Sequence, residues 1–107
     1  MPTIAIDAMG GLNAPQAPVE AAAHVSRTTK INVVLIGDGP AIDHALDGCS
    51  YNPERLRVEE SASGHPADSI LMAVQMVNSG RANALVTAGD PPTVLRACFE
   101  NLKLLPG

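Results

Sequence analysis

Aromatic side chains are almost missing from this chain: Tyr51 and Phe99 are the only two, and there is no tryptophan. Its core must therefore be aliphatic, and it offers no aromatic platform on which bases could stack. Basic residues are sparse as well. Seven Lys and Arg are scattered among eleven Asp and Glu, for a net charge of −4, and no basic run could follow a phosphate backbone. This argues against nucleic acid as a partner. The two cysteines, Cys49 and Cys98, stand far apart without C-x-x-C spacing, as small core residues of a reduced protein do. No apolar run approaches the ~18 residues of a membrane span, and no basic stretch followed by an apolar one opens the chain. The expectation is a cytoplasmic protein without a transmembrane segment.

What is present is aliphatic and periodic. Of the 107 residues, 46% are hydrophobic, enough to build the core of one domain over residues 1–107. The chain is organised around Ile4-Ala5-Ile6-Asp7-Ala8-Met9-Gly10-Gly11, an apolar strand from about residue 3 to 7 that breaks into a glycine-rich loop. Such a run reads as a buried parallel strand, and ligands of open α/β sheets bind beyond the carboxyl ends of the strands. Gly10 and Gly11 remove side chains that would keep a ligand off the backbone, and Asp7 sets a carboxylate at the strand's mouth. A plain steric turn accounts for the same residues.

The pattern then repeats. Gln16 to Thr28 is an alanine-rich helix with Ala21, Ala22 and Val25 on one face, and Ile31 to Gly37 is the clearest strand. Asp38-Gly39-Pro40 opens a second helix, capped by Asp38 or Gly39 and stopped at Gly48. Leu56 to Glu59 alternates apolar and charged residues, as an edge or half-exposed strand does. Ala67 to Ser79 is a helix with Ile70, Ala73, Val74 and Val77 on its stripe and Gly80 beyond it. Ala84 to Gly89 reads as a fourth buried strand, and Asp90-Pro91-Pro92 opens a last helix through Leu95, Cys98, Phe99 and Leu102. Four alternations of strand and helix predict an α/β fold: a parallel sheet of about four strands with helices on both faces.

Parallel strands bring Asp7, Asp38, Ser61 and Asp90 to one edge of the sheet, which should be acidic. His24, His44 and His65 have no metal-ligand spacing, and no metal or cofactor is expected. Ser61, His65 and Asp68 lie close in sequence, but no G-x-S-x-G elbow accompanies them. Neither Gly10-Gly11 nor Gly37-Asp38-Gly39 completes G-x-G-x-x-G, and no G-x-x-x-x-G-K-S/T is present, so a nucleotide site has no motif. The helix after Gly89 is a natural anion site, but Asp90 adds a competing charge there and Pro91 and Pro92 remove two amide donors.

Ile6-Asp7-Ala8-Met9-Gly10-Gly11 with Ala14-Pro15, Ile36-Gly37-Asp38, Asp68-Ser69, Ala84-Leu85-Val86-Thr87-Ala88-Gly89 and Leu105-Pro106-Gly107 together resemble the N-terminal part of the PlsX-type phosphate acyltransferase family, in a divergent or truncated form. The resemblance implies half of a phosphotransacetylase/isopropylmalate-dehydrogenase-like fold. It also implies transfer of a fatty acyl group from acyl carrier protein to inorganic phosphate, giving acyl phosphate for phospholipid synthesis. The substrate- and phosphate-binding candidates it points to are Asp7, Met9, Gly10, Gly11, Ser69, Thr87, Gly89 and Asp90. Ser69 or Thr87 would donate hydrogen bonds, and no side chain is needed as nucleophile because phosphate attacks.

This chain departs from the family pattern in three places: Leu12 replaces an Asp, Asp90-Pro91-Pro92 replaces Asn-Thr-Gly, and a lysine-bearing segment is shortened to Gly64-His65-Pro66-Ala67. A non-catalytic binding or interaction module built on the same fold is therefore the alternative. In either case an apolar edge left by half a fold is expected to be covered in a homodimer or by a family partner.

Overall fold

Four parallel strands in the order β3-β2-β1-β4 form the sheet, with β1 at Thr3–Asp7, β2 at Asn32–Gly37, β3 at Leu56–Glu60 and β4 at Ala84–Val86. The computed structural model describes residues 2–10, 14–61 and 66–87. Helices α1 (Gln16–Thr28), α2 (Gly39–Leu46) and α3 (Pro66–Asn78) alternate with the strands. The expected α/β architecture with a parallel four-strand sheet is what the chain adopts.

Strand alternation sorts the apolar side chains into two cores. Ile6, Val33, Leu35 and Leu56 point toward α1 and α2 and meet Val19, Ala22, Ile42, Ala45 and Leu46. Ala5, Val34 and Ile36 point the other way and meet Ala73 and Met76 of α3. The central strand β2 is buried on both faces, which is why it reads as an unbroken aliphatic run rather than an alternating one. With so few aromatics, small residues bring the layers together: Ala5, Ala8, Ala22 and Ala73 are fully buried at the contacts.

Several local expectations change. The packed face of α1 is Val19, Ala22, Ala23 and Ser26, whereas Ala21 is exposed. Ser26 is tolerated in the core because its hydroxyl donates to the Ala23 carbonyl at 2.7 Å and accepts from the Asn52 amide at 3.0 Å, tying the loop before β3 to the helix. Asp38 occupies the N-cap position of α2 but makes no side-chain cap bond, and α2 ends at Leu46 with Asp47 at its C-cap. Gly80, after α3, is the one described glycine with positive φ, at 83°. There a residue with a Cβ would be strained.

The fourth strand is the larger correction. It pairs over three residues at the open edge beside β1, and Val86 is 54% exposed. β4 lies outside the span that α1 covers, so it is not the buried strand that its composition implied. β3 forms the other edge, as its alternation predicted: Leu56 and Val58 pack inward while Glu59 pairs with Arg81 at 2.6 Å. The helix expected from Asp90 to Leu102, the Leu105-Pro106-Gly107 end, Cys98 and His65 lie outside the described residues.

Gly37 ends β2 under the side chain of Met9. A Cβ built on Gly37 would stand 2.5 Å from Met9 Cγ and 2.8 Å from its sulfur. We expect Gly37→Val to destabilise the protein by about 1–3 kcal/mol in urea unfolding. Most of that loss should vanish in the background Met9→Ala, since the clash is with that one side chain.

Candidate functional site

The connections β1 to β2 to β3 run in one direction across the sheet, while β4 lies on the opposite side of β1. The chain therefore reverses its direction of winding between β1 and β4, and the crevice at their carboxyl ends is where doubly wound sheets bind ligands. Asp7 is the last residue of β1, and Thr87 follows directly on β4.

Asp7 shares the α3 face of the sheet with Ala5 and is 1% exposed. A carboxylate taken out of water needs donors, and the fold supplies three. Oδ1 accepts the Met9 amide at 3.0 Å and the Ser69 hydroxyl at 2.7 Å, and Oδ2 accepts the Thr87 hydroxyl at 2.8 Å. Ser69 sits in the first turns of α3, whose amino-terminal end adds a favourable dipole to the carboxylate. No cation pairs with Asp7 among the described residues. Hydroxyls and one amide do the work that a lysine or arginine would do elsewhere.

This arrangement fixes what each group can offer a ligand. A serine or threonine hydroxyl has one proton. Ser69 and Thr87 both give theirs to Asp7, whereas the sequence reading had them donate to a substrate. The loop after β1 is also partly committed: the Ala8 amide donates to the Ile36 carbonyl at 2.9 Å, and the Met9 amide donates to Asp7. Met9 itself packs over Gly37 beside α2 and is a wedge that seats the loop. Gly10 is buried, and Gly11, Gly89 and Asp90 lie outside the described residues.

Beside this polar floor, Ile6, Asp7, Ala17, Pro18, Ala21, Val86 and Thr87 line a cleft of about 200 Å³ between α1 and β4. Its walls are aliphatic, and it opens on the Ile6 and Val86 face of the sheet, opposite the α3 face that holds the Asp7 carboxylate. The acidic rim expected from Asp7, Asp38 and Asp90 is thus weaker than predicted, because the Asp7 charge is turned into the protein. Among the described residues no group of His, Cys, Asp or Glu could hold a metal ion, and His24 and His44 are exposed. Among those residues, too, no helix is long and apolar enough to cross a membrane.

A parallel sheet whose winding reverses beside a buried carboxylate and two hydroxyls defines an α/β fold of the doubly wound class. No protein-family model matches the chain. It is, however, similar to phosphate acyltransferases: 35% identical over 120 residues to that of Aliivibrio fischeri strain MJ11, covering 98% of this chain and 35% of that protein. For the enzyme of Pseudomonas aeruginosa strain UCBPP-PA14 the identity is 31%, covering 99% and 36%, and for that of Pelotomaculum thermopropionicum it is 32%, covering 97% and 34%. The chain is similar to phosphate acyltransferases over nearly its whole length and spans about a third of the length of these relatives. The matched lengths exceed the 107 residues here, so the relatives carry residues that this chain lacks.

Sequence reasoning placed Asp7, Ser69 and Thr87 among the candidates but missed that they bind one another. The available signal was a lone acid on the buried face of an apolar strand, with a hydroxyl residue early in the crossover helix and another at a strand end. Ser69→Ala should lower the unfolding free energy by about 1–3 kcal/mol, because Oδ1 of the buried carboxylate keeps only the Met9 amide. Adding Thr87→Val should cost more than the two single losses combined, and urea unfolding of the three variants measures the coupling.

Proposed function

We propose that this chain is phosphate acyltransferase-like, acting in the cytoplasm as one α/β domain and contributing to transfer of a fatty acyl group from acyl carrier protein to inorganic phosphate. In this reaction a phosphate oxygen attacks the thioester carbonyl carbon. The C–O bond forms, the C–S bond breaks, and the carrier thiolate takes up the proton that leaves the phosphate. The products are acyl phosphate and the free carrier thiol.

The observation that carries this reading is the cleft at the β1–β4 switch point, aliphatic along Ile6, Ala17, Pro18, Ala21 and Val86 and placed beside the strand ends where Asp7 and Thr87 stand. Such a site suits a substrate that joins an apolar chain to a polar reacting end. The chain's similarity to phosphate acyltransferases supports the same substrate class. With phosphate as nucleophile, the protein's part is to position the reactants and to stabilise the oxyanion. The same proposal includes a homodimer, or association with a family partner, along the open edge of β4, which analytical ultracentrifugation reads directly.

A second reading, a non-catalytic binding module, draws on the donor count. The Ala8 and Met9 amides are spent inside the fold, and in sequence Pro91 and Pro92 remove two more.

Mass spectrometry of acylated acyl carrier protein incubated with the purified chain, with and without inorganic phosphate, separates the two. Phosphate-dependent loss of the acyl mass is the expected result for the enzyme. In that case Gly10→Val, which adds a branched side chain at a buried loop position, should abolish the loss. An intact acyl mass, under conditions where a full-length relative removes it, establishes the binding module instead.

A further inference from the structure

We propose that the groove between α3 and β3 binds a single-chain amphiphile with one negative charge, the anion of a medium-chain fatty acid. The groove begins at the amino ends of β1 and β2, away from the β1–β4 crevice, and its ligand does not depend on the reaction proposed above.

Alternation along β3 creates this groove. Leu56 and Val58 turn toward α1 and α2, so Arg57 and Glu59 stand on the α3 face, in register with Val34 and Ile36. Among the described residues α3 packs on β1, β2 and β4 but not on β3. Two cavities of about 330 Å³ each lie along this uncovered face, the size of small-molecule sites.

The two cavities differ in character and meet at Arg81, which lines both. The first holds Arg55, Arg57 and Arg81 with Glu54 and Asn32. In the second, Met72 and Met76 stand one helical turn apart on α3 and form an apolar wall beside Glu59 and Gln75. Thioether side chains adapt to a flexible apolar partner. A basic cavity joined to an apolar one fits a charged head and its tail.

Charge selects the head group. Three of the seven basic residues in a chain of net charge −4 gather here, against the two carboxylates Glu54 and Glu59, which leaves one positive charge in excess. Arg55 donates to the Lys30 carbonyl at 3.0 Å, and Arg81 donates to Glu59 at 2.6 Å. Arg57 is held more loosely, 3.9 Å from Glu59 with 64% of its side chain exposed. A carboxylate between Arg57 and Arg81 accepts charge-assisted hydrogen bonds from both and cancels the excess, whereas a dianion overshoots it. The tail then lies on Met72 and Met76, where each methylene removed from water adds affinity.

NMR of the full chain, read at the methionine methyls and the backbone amides, tests this with sodium octanoate, sodium acetate and octyl glucoside at pH 7.5, each below its micelle concentration. Octanoate should move the Met72 and Met76 methyl signals and bind at least about tenfold more tightly than acetate, which lacks the tail, or octyl glucoside, which lacks the charge. Arg57→Gln should weaken octanoate about tenfold and Glu59→Gln should strengthen it, with octyl glucoside moved by neither. Opposite effects of these two substitutions are not produced by a loss of structure, and circular dichroism checks that both variants fold.

The comparison of the three probes needs only the native chain. Octyl glucoside or acetate binding as tightly as octanoate overturns the proposal, as does octanoate leaving every signal unmoved. Octanoate shifts confined to Ala21 and Val86 overturn it too, and place the amphiphile in the α1–β4 cleft, where the functional reading stands.

Discussion

A carboxylate that is 1% exposed and has no cation beside it among the described residues is the constraint on which the rest of this structure depends. Burying Asp7 without donors would cost more than a small aliphatic core could offset. Three groups from separate parts of the chain therefore have to arrive together: the amide of the loop after β1, the hydroxyl of Ser69 on α3 and the hydroxyl of Thr87 after β4. Their convergence does more than satisfy a charge. It pins the crossover helix and the edge strand to the carboxyl end of β1, the point at which the sheet reverses its winding. Of the elements beside the crevice, Asp7 ties β1 to β4, while α1 closes it from the other face of the sheet.

The aliphatic character of the chain explains the geometry around that point. Alanines at the interfaces let α1 and α3 lie close on the sheet, and Gly37 lets Met9 fold down over the end of β2. The loop after β1 is thereby held from both sides, by Met9 packing on one and by the Asp7 hydrogen bond on the other.

Donor economy is the theme that joins structure to function here. The Ala8 and Met9 amides and the Ser69 and Thr87 hydroxyls all direct their protons into the protein. The aliphatic wall from Ala17 to Val86 stands beside these groups, on the other face of the sheet from the Asp7 carboxylate.

Much of the fold was legible in the sequence because it follows from local rules. The helix from Gln16 to Thr28 has the bounds that its composition predicts, β2 announces itself as an unbroken aliphatic run, and the alternation at Leu56 to Glu59 marks an edge. These are consequences of side-chain period and backbone propensity, which operate over a few residues. The candidate list was legible too, since Asp7, Ser69 and Thr87 each stand at the end or start of an element. Three things were settled only in three dimensions. That Ala84 to Val86 lies at an edge depends on strand order, which no local pattern encodes. That Met9 is a wedge depends on Gly37 lying beneath it. That Ser69 and Thr87 donate to Asp7 depends on the fold bringing them to a carboxylate 62 and 80 positions away in sequence. By itself the sequence determined the elements and the residue types at their ends. The tertiary structure decided in which direction each hydroxyl proton points, because a hydroxyl donates to the strongest acceptor within reach, and folding alone determines which acceptor that is.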